Sequence, residues 1–581
     1  MCGLVAIFAG TQAAAPVNAD ELARMRDRMA ARGPDGAGLW RADDGRIGLA
    51  HRRLAIIGLD ASGAQPMATN DGALRIVFNG EIYNWRALRA ELEAKGATFR
   101  SRTDTEVILE LYRQDGIAAL GRLRGMFALA LWDERRRGLL LARDPFGIKP
   151  LYVADDGRTL RAASQVKALL AGGGVDTAPD PAGHAGFFLW GHVPEPHTLY
   201  RAIRPLPAGS WLWAGEDGGR AEGRFFDLRA ELAAPAAPVA SDLGRALRDS
   251  VGAHLEADVP VGVFLSSGLD STTLCALAAQ SGTRPRTVTL GFAEFAGSPQ
   301  DEVPLAEVAA RAYGADHATV RITAGDFAAS RERILADMDQ PSIDGVNTWF
   351  VARAAAARGL KVALSGLGGD ELFAGYDSFV RIPRQLRAVA PLRPLVGVLG
   401  PLTRMLAAGW IRPPKAAGLL EYGGSTGDAY LLRRSLTMPW HLDRVLDPDM
   451  ARDGWRQLAP RLALADAVDG IGPERLRISA LETAFYMRNQ LLRDADWAGM
   501  AHSLEIRTPL VDVDLFRAVL PLIKGSRPPG KLDMAGVANP ALPAAILERR
   551  KSGFFVPIAQ WLGESSLHGW ARTVYSACAT A

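Results

Sequence analysis

The sequence predicts an α/β protein of more than one domain, with a doubly wound parallel sheet in its second half. Three observations carry that prediction. Val261-Gly-Val-Phe-Leu265 is a short, mostly apolar run of the kind buried on both faces of a parallel sheet. It passes through Ser266-Ser267-Gly268 into a helical pattern that places Leu274 and Leu277 on one face. The same order of strand, small-residue loop and acidic helix start recurs at Lys361-Val-Ala-Leu-Ser-Gly-Leu-Gly-Gly-Asp-Glu371. Strands and helices alternate around these two modules, as a parallel sheet with crossover helices requires.

Composition sets the outer limits. At 581 residues the chain exceeds a single core and fits two to four domains. A hydrophobic share of 48% with a net charge of +3 describes a water-soluble globular protein, and scattered arginines argue against a nucleic-acid partner. The three cysteines, Cys2, Cys275 and Cys578, make neither a disulfide framework nor a zinc site. No apolar run has the length of a membrane span, and the first residues lack the pattern of a signal peptide. The expectation is a cytoplasmic protein without a membrane partner.

The N-terminus, Met1-Cys2-Gly3-Leu-Val-Ala-Ile-Phe-Ala-Gly10, reads as a strand that begins with a cysteine. Removal of Met1 would put a thiol and an α-amine on one residue. The amine titrates at about 7.7–8.0 and can serve as the base the thiol needs. The plain alternative is a small buried residue near a terminus. Asn18-Ala-Asp-Glu21 opens a helix with Leu22, Met25 and Met29 on one face. Then follow Arg32-Gly-Pro-Asp-Gly36, Leu49-Ala-His-Arg-Arg-Leu-Ala-Ile-Ile57, and Ile76-Val-Phe-Asn-Gly-Glu-Ile-Tyr-Asn84, read as a strand that breaks at Asn79-Gly80. Thr103-Asp-Thr-Glu106 opens another helix, and Gly125-Met-Phe-Ala-Leu-Ala-Leu-Trp132 is a strand.

Residues 2–210, on these motifs and on Arg143-Asp-Pro-Phe-Gly-Ile-Lys-Pro-Leu-Tyr152, resemble the class II glutamine amidotransferase domain. The resemblance implies an N-terminal-nucleophile hydrolase sandwich (αββα) in which Cys2 attacks the glutamine carboxamide. It further implies an oxyanion site at Asn79 and Gly80, and glutamine contacts at Arg53, Ile57, Glu81 and Asp104. The plain readings of Glu81 and Asp104 are a surface acid and a helix N-cap.

Residues 211–241 are expected to connect the domains; their Ala/Pro stretch, residues 232–241, cannot carry a core and reads as a semi-rigid linker. Residues 242–581 form the second domain. A helix leads from residue 242 into Val261, Arg286–Phe292 is a second strand, and helices follow at residues 301–313 and 347–358. The last third is helix-rich.

A strand running through a small-residue loop into a helix N-terminus makes an anion site. Neither a Walker A loop nor a three-glycine dinucleotide fingerprint is present. Loops at the carboxyl ends of parallel strands gather in one crevice, so Asp270 and Asp370 are placed to share one Mg²⁺-bound polyphosphate. The paired loops resemble the ATP pyrophosphatase motif of the asparagine synthetase family. That resemblance implies ATP and Mg²⁺ as cofactors and contacts from Leu265, Ser266, Ser267, Gly268, Asp270, Ser271, Leu290, Ser365 and Gly366. It assigns the metal to Asp270 and Asp370. Lys551, in Arg549-Arg-Lys-Ser-Gly-Phe-Phe-Val-Pro557, is implied to reach the phosphates as a catalytic charge, where the plain reading is a solvated basic turn.

The combination implies hydrolysis of glutamine, activation of aspartate as an acyl-adenylate with loss of pyrophosphate, and amidation to asparagine along a sheltered path. A homodimer is a family expectation. Three positions depart from the family pattern. Ser267 stands where a glycine is usual, so its backbone must tolerate a Cβ. Leu367 replaces a glutamate, and Trp497 replaces a basic residue on the helix before Met500-Ala-His-Ser503. The last two leave the acceptor open between aspartate and another carboxylate, such as a sugar acid or a secondary-metabolite precursor. A non-catalytic glutamine-binding homologue is the reading from a different class. His502 is expected to pack rather than to catalyse.

Overall fold

The computed structural model describes residues 2–235, 242–392, 400, 402, 404–405, 414–549, 556–564 and 566–579. Lys551 lies outside the described residues. Twelve of its strands build two stacked antiparallel sheets. The first sheet contains β1 (Gly3–Ala9), β2 (Gly36–Arg41), β3 (Ile47–Arg53), β8 (Tyr152–Asp155), β9 (Thr159–Ala163) and β10 (Arg204–Pro205), in the order β10-β8-β9-β1-β3-β2. The second contains β4 (Met67–Ala68), β5 (Leu74–Ile82), β6 (Gly125–Asp133), β7 (Gly138–Arg143), β11 (Ser210–Gly215) and β12 (Arg220–Arg224), in the order β12-β11-β7-β6-β5-β4.

Strand alternation creates the layers. Leu4, Ala6 and Phe8 of β1 point inward against Val77, Ala128, Ala130 and Trp132 of the other sheet. Val5, Ile7 and Ala9 point outward against Leu22, Met25 and Met29. The helix carrying that outer face, Ala19–Asp27, is capped by Asn18, whose Oδ1 accepts from the Asp20 and Glu21 N–H groups at 2.7 and 3.3 Å. Helices Trp85–Ala94 and Asp104–Asp115 cover the opposite sheet, with Thr103 capping the second of them. The result is the four-layer αββα sandwich.

Two expectations need correction here. The strand through Asn79-Gly80 does not break: β5 pairs continuously with β6 from Leu74 opposite Asp133 to Ile82 opposite Gly125. Glycine is needed because a Cβ on residue 80 would lie 2.1 Å from the Met126 carbonyl oxygen. The second sheet also runs past residue 210, since β11 pairs with β7 and β12 with β11. Residues 211–224 are therefore sheet rather than connector.

The second half is the doubly wound sheet. Its strands are β13 (Val261–Phe264), β14 (Arg286–Phe292), β15 (Asp316–Ile322), β16 (Val362–Leu364) and β17 (Glu505–Arg507), in the order β15-β14-β13-β16-β17, all pairs parallel. From β13 the chain winds first to β14 and β15, then returns to the other side at β16. The switch point lies between β13 and β16, where ligands bind in such sheets. The loops after these two strands are the two Gly/Ser modules. Strand β17 lies in the last third, expected to be helix-rich; its Glu505 and Arg507 are both fully buried, a pattern that hides a strand from hydropathy.

Candidate active site

Cys2 is buried at the start of β1, and its backbone N–H donates to Asn79 Oδ1 at 2.9 Å. Burial pushes the Cys2 thiol up, so the sulfur keeps its proton until a base removes it. Asn79 is 0% exposed, yet its Nδ2 meets no acceptor among the described residues. An unpaired buried donor costs on the order of 1–3 kcal/mol. Held beside a nucleophile, it is the donor that an oxyanion would satisfy. Gly80 follows in the same strand.

Arg53 ends β3 and wraps the loop after it, donating to the Asp60, Ile57 and Gly58 carbonyls. The loop closes so tightly that a Cβ on Gly63 would lie 2.1 Å from Arg53 Nη2. Asp104 Oδ2 accepts from the Ile82 N–H at 3.0 Å, and burial raises its carboxyl to about 6. Asp104 is the first residue of its helix, and the cap is Thr103. Glu81 is not a surface acid: it is buried, with Arg507 Nη2 at 3.3 Å from its Oε1. Burial, and then the charge of Glu505, push Glu81 well above the usual carboxylate range.

The sequence did not single out Arg507, although it ties the two domains together. Its side chain pairs with Glu81 of the glutamine side and with Glu505 at 2.6 Å. Its backbone carbonyl accepts from the Ser365 N–H at 2.8 Å, at the root of the second Gly/Ser loop. Arg32 makes a second link: its Nε donates to the Cys2 carbonyl at 3.0 Å, and its Nη1 and Nη2 hold Asp496 at 2.6 and 3.0 Å.

At the switch point a cavity of about 790 Å³ is lined by Leu265, Ser266, Ser267, Gly268, Asp270, Ser271, Leu290, Ser365, Gly366, Leu367 and Asp370. Every described residue expected on the ATP side thus faces one space. The first loop folds on itself through Ser271 Oγ, which lies 2.8 Å from Ser266 Oγ and accepts from the Ser266 N–H at 3.1 Å. Ser267 has no positive φ, so its Cβ is tolerated there, and its hydroxyl is met by Arg549. The two loops pack together: a Cβ on Gly369 would lie 2.4 Å from Asp270 Oδ1.

Lys531 is a further residue the sequence reading passed over. Its ammonium bridges Asp270 and Asp370, at 2.8 Å from the latter. Asp270 and Asp370 raise the Lys531 pKa against the opposing effect of burial, so it stays charged. Only its position after Gly530, far from either loop, stood in the sequence. Among the described residues no group of three or more metal-ligating side chains occurs. Two convergent carboxylates and polyphosphate oxygens are nonetheless a donor set that suits Mg²⁺, which seldom needs more from the protein.

Trp497 is not on the cavity wall. It is 2% exposed and stands behind it, with Nε1 donating to Asp494 Oδ1 at 2.7 Å. Asp494 lines the cavity instead. His502 packs its ring against Trp349, with centroids 4.5 Å apart.

Comparison with known proteins agrees with this geometry. Residues 1–226 match the glutamine amidotransferase domain family, and residues 242–580 match the asparagine synthase family. A putative asparagine synthetase [glutamine-hydrolyzing] of Mycobacterium bovis is 36% identical, over 98% of this chain and 90% of that protein. Asparagine synthetase [glutamine-hydrolyzing] 1 of Bacillus subtilis is 31% identical, over 99% of this chain and 90% of that protein. With a sandwich that buries Cys2 beside Asn79, and a doubly wound sheet whose paired loops share one cavity, the chain belongs to the glutamine-hydrolysing asparagine synthetase family.

Proposed function

We propose that the chain hydrolyses glutamine at Cys2 and passes the ammonia to a carboxylate activated by ATP as an acyl-adenylate. The observation that carries this reading is an Asn79 Nδ2 with no acceptor among the described residues, held beside Cys2, together with a second site formed by both Gly/Ser loops. With Met1 removed, the Cys2 amine takes the thiol proton, and the sulfur attacks the carboxamide. Asn79 Nδ2 and the Gly80 N–H receive the oxyanion. Arg53 binds the glutamine α-carboxylate; Glu81 and Asp104 bind its amino group.

In the second domain the Ser266–Gly268 and Ser365–Gly366 backbones hold the phosphates, and Leu290 lies by the adenine. Asp270 and Asp370 would hold Mg²⁺, which when bound neutralises charge on the departing pyrophosphate. Lys531 supplies fixed positive charge there, and Lys551 is assigned to the same end. In the family reading the acceptor is aspartate and the product asparagine. The wall that carries Asp344 and Asp494 favours a second reading, in which another carboxylate is amidated. We place the protein in the cytoplasm; no helix among the described residues is long and apolar enough to cross a membrane.

The test is Cys2→Ala in the full chain, assayed for AMP with glutamine and with ammonium chloride across a panel of carboxylates. Glutamine-dependent turnover is expected to vanish while ammonia-dependent turnover persists. Loss of both in correctly folded protein would refute the two-site scheme.

A further inference from the structure

The activation cavity does not end at the nucleotide loops. Asp344 lines both it and a neighbouring cavity of about 340 Å³. The second space has aromatic walls from Trp190, Tyr430, Phe485 and Tyr486, with His192 among its polar residues. Aspartate is small, and it carries a second carboxylate that a binding site must meet with a cation or with donors.

The charges on this side have the wrong sign for that. Among the described residues, the cations lining the larger cavity are Arg475, Lys531 and Arg549. Lys531 sits on the loop aspartates, Arg549 on Ser267 and Glu302, and Arg475 donates to the Pro529 carbonyl near Lys531. All three belong to the phosphate end. The opposite wall, from the residue before the Gly345 N-cap of helix Val346–Ala357 and from helix Arg493–Met500, presents Asp344 and Asp494. In the smaller cavity, Arg434 is already paired with Glu482 at 2.6 Å.

Beside Asn347 and Thr348, the groups left to meet a ligand include the acceptors Asp344 and Asp494, whose burial pushes both carboxyls up. Asp494 is held by Ser342 Oγ at 2.8 Å and by the Trp497 indole, which fixes its carboxylate in place. His192 is 3% exposed, and its Nδ1 lies 3.1 Å from Gln490 Oε1. In the tautomer in which Nδ1 donates to that amide oxygen, Nε2 bears a lone pair. That Nε2 has no partner among the described residues, on a side chain that lines the smaller cavity. A buried unpaired acceptor beside two carboxylates calls for donors.

Resting on the amide-synthetase reading above, we propose that the acceptor is a carboxylic acid larger than aspartate. It reaches past Asp344 into the smaller cavity and carries hydrogen-bond donors, hydroxyl or ammonium, that meet Asp344, Asp494 and His192 Nε2. Its own carboxylate lies toward the nucleotide, and the aromatic walls cover the remainder of the molecule.

The experiment uses the full chain with glutamine and Mg-ATP, and follows AMP and glutamate. The acceptors are aspartate, a hydroxyl arm of hexuronic acids, and an ammonium arm of 6-aminohexanoate and lysine. Turnover of one arm at a lower KM than aspartate is expected, and the arm that responds identifies the donor. Asp344→Asn and His192→Phe should each raise that acceptor's KM about 10- to 100-fold, the range for losing a hydrogen bond to a charged or buried acceptor. Glutamine hydrolysis measured without any acceptor should be unchanged in both, and thermal unfolding matching the wild type reports that they fold. Turnover of aspartate alone, with a KM indifferent to both substitutions, overturns the proposal and leaves the amide-synthetase reading standing. AMP formation with no acid at all overturns both.

Discussion

Replacing Arg507 by methionine tests the link between the two domains. Arg507 and Glu505 are both 0% exposed, and the guanidinium also faces Glu81. Burial alone would raise Glu505, but the N-terminal ammonium, and after it Arg507 and Lys149, hold it down at about 2, so it is ionised in the folded protein. Methionine fills much of the arginine volume, which isolates the charge effect from cavity formation. An ionised Glu505 would then lack its closest counter-charge, and breaking a buried pair from one side costs about 3–5 kcal/mol. The carbonyls of His254 and Glu256, now served by Arg507 Nη1 at 2.9 and 2.6 Å, lose a donor each, at roughly 1 kcal/mol apiece. The total expected is about 5 kcal/mol or more. The assay is urea unfolding of the full chain, read as the loss of stability in the transition that carries the second domain. Arg507→Met combined with Glu505→Gln removes the stranded charge and should recover about 2 kcal/mol or more. A loss below about 1 kcal/mol for the single variant, or a double variant weaker than the single, would refute the argument from charge compensation.

Asn79→Ala removes the unpartnered donor beside Cys2 and should lower glutamine hydrolysis about 10²- to 10³-fold, with ammonia-dependent turnover kept; ammonia production and AMP formation measured together check it. Lys531→Met should do the reverse, depressing AMP formation at least tenfold while glutamine hydrolysis continues, because two aspartates lose the ammonium between them. His51 is buried, its Nε2 3.0 Å from the Phe78 carbonyl, and burial lowers it to about 3. The unfolded chain protonates first as pH falls below about 6.5, so this neutral histidine stabilises fully above that pH and less below it. Stability should fall by up to about 1.4 kcal/mol per pH unit on its account between about 6.5 and 3, and His51→Gln should flatten unfolding free energy measured across that window.

What was legible in the sequence follows the range of the forces involved. Local rules placed the Asn18 cap, the helix opening at Thr103–Glu106 and the strand at Arg286–Phe292, because a helix start or a short apolar run is decided within a few residues. The tolerance of Ser267 for a side chain was legible for the same reason. Residues that act across domains were not. Glu505 and Arg507 are charges inside a strand, and pairing with each other and with Glu81 of the other domain makes their burial possible. Lys531 reaches Asp270 from 261 positions away in the chain. The apparent break at Asn79-Gly80 mistook a glycine required by a close strand neighbour for a turn. Trp497 was assigned to the acceptor because it replaces a basic residue, whereas its indole acts through Asp494.

That last substitution bears on how one helix serves two chemistries. Helix Arg493–Met500 offers Asp494 and Ala495 to the activation cavity, and Asp496 to Arg32, which holds the Cys2 carbonyl. Neighbouring residues on a helix point in different directions, so consecutive positions address separate sites without any segment having to bend. Ammonia released at Cys2 is protonated in bulk water, and a protonated amine has no lone pair for an acyl-adenylate. A rigid element touching both sites keeps their separation fixed and their shared boundary closed by buried ion pairs. Asp494, two residues from the Arg32 partner, is also a group proposed to read the acceptor. Occupancy of the acceptor site would therefore load the same helix turn that holds Cys2 in place. If so, Arg32→Met should weaken any stimulation of glutamine hydrolysis by the true acceptor, and equal stimulation in wild type and variant would exclude this route.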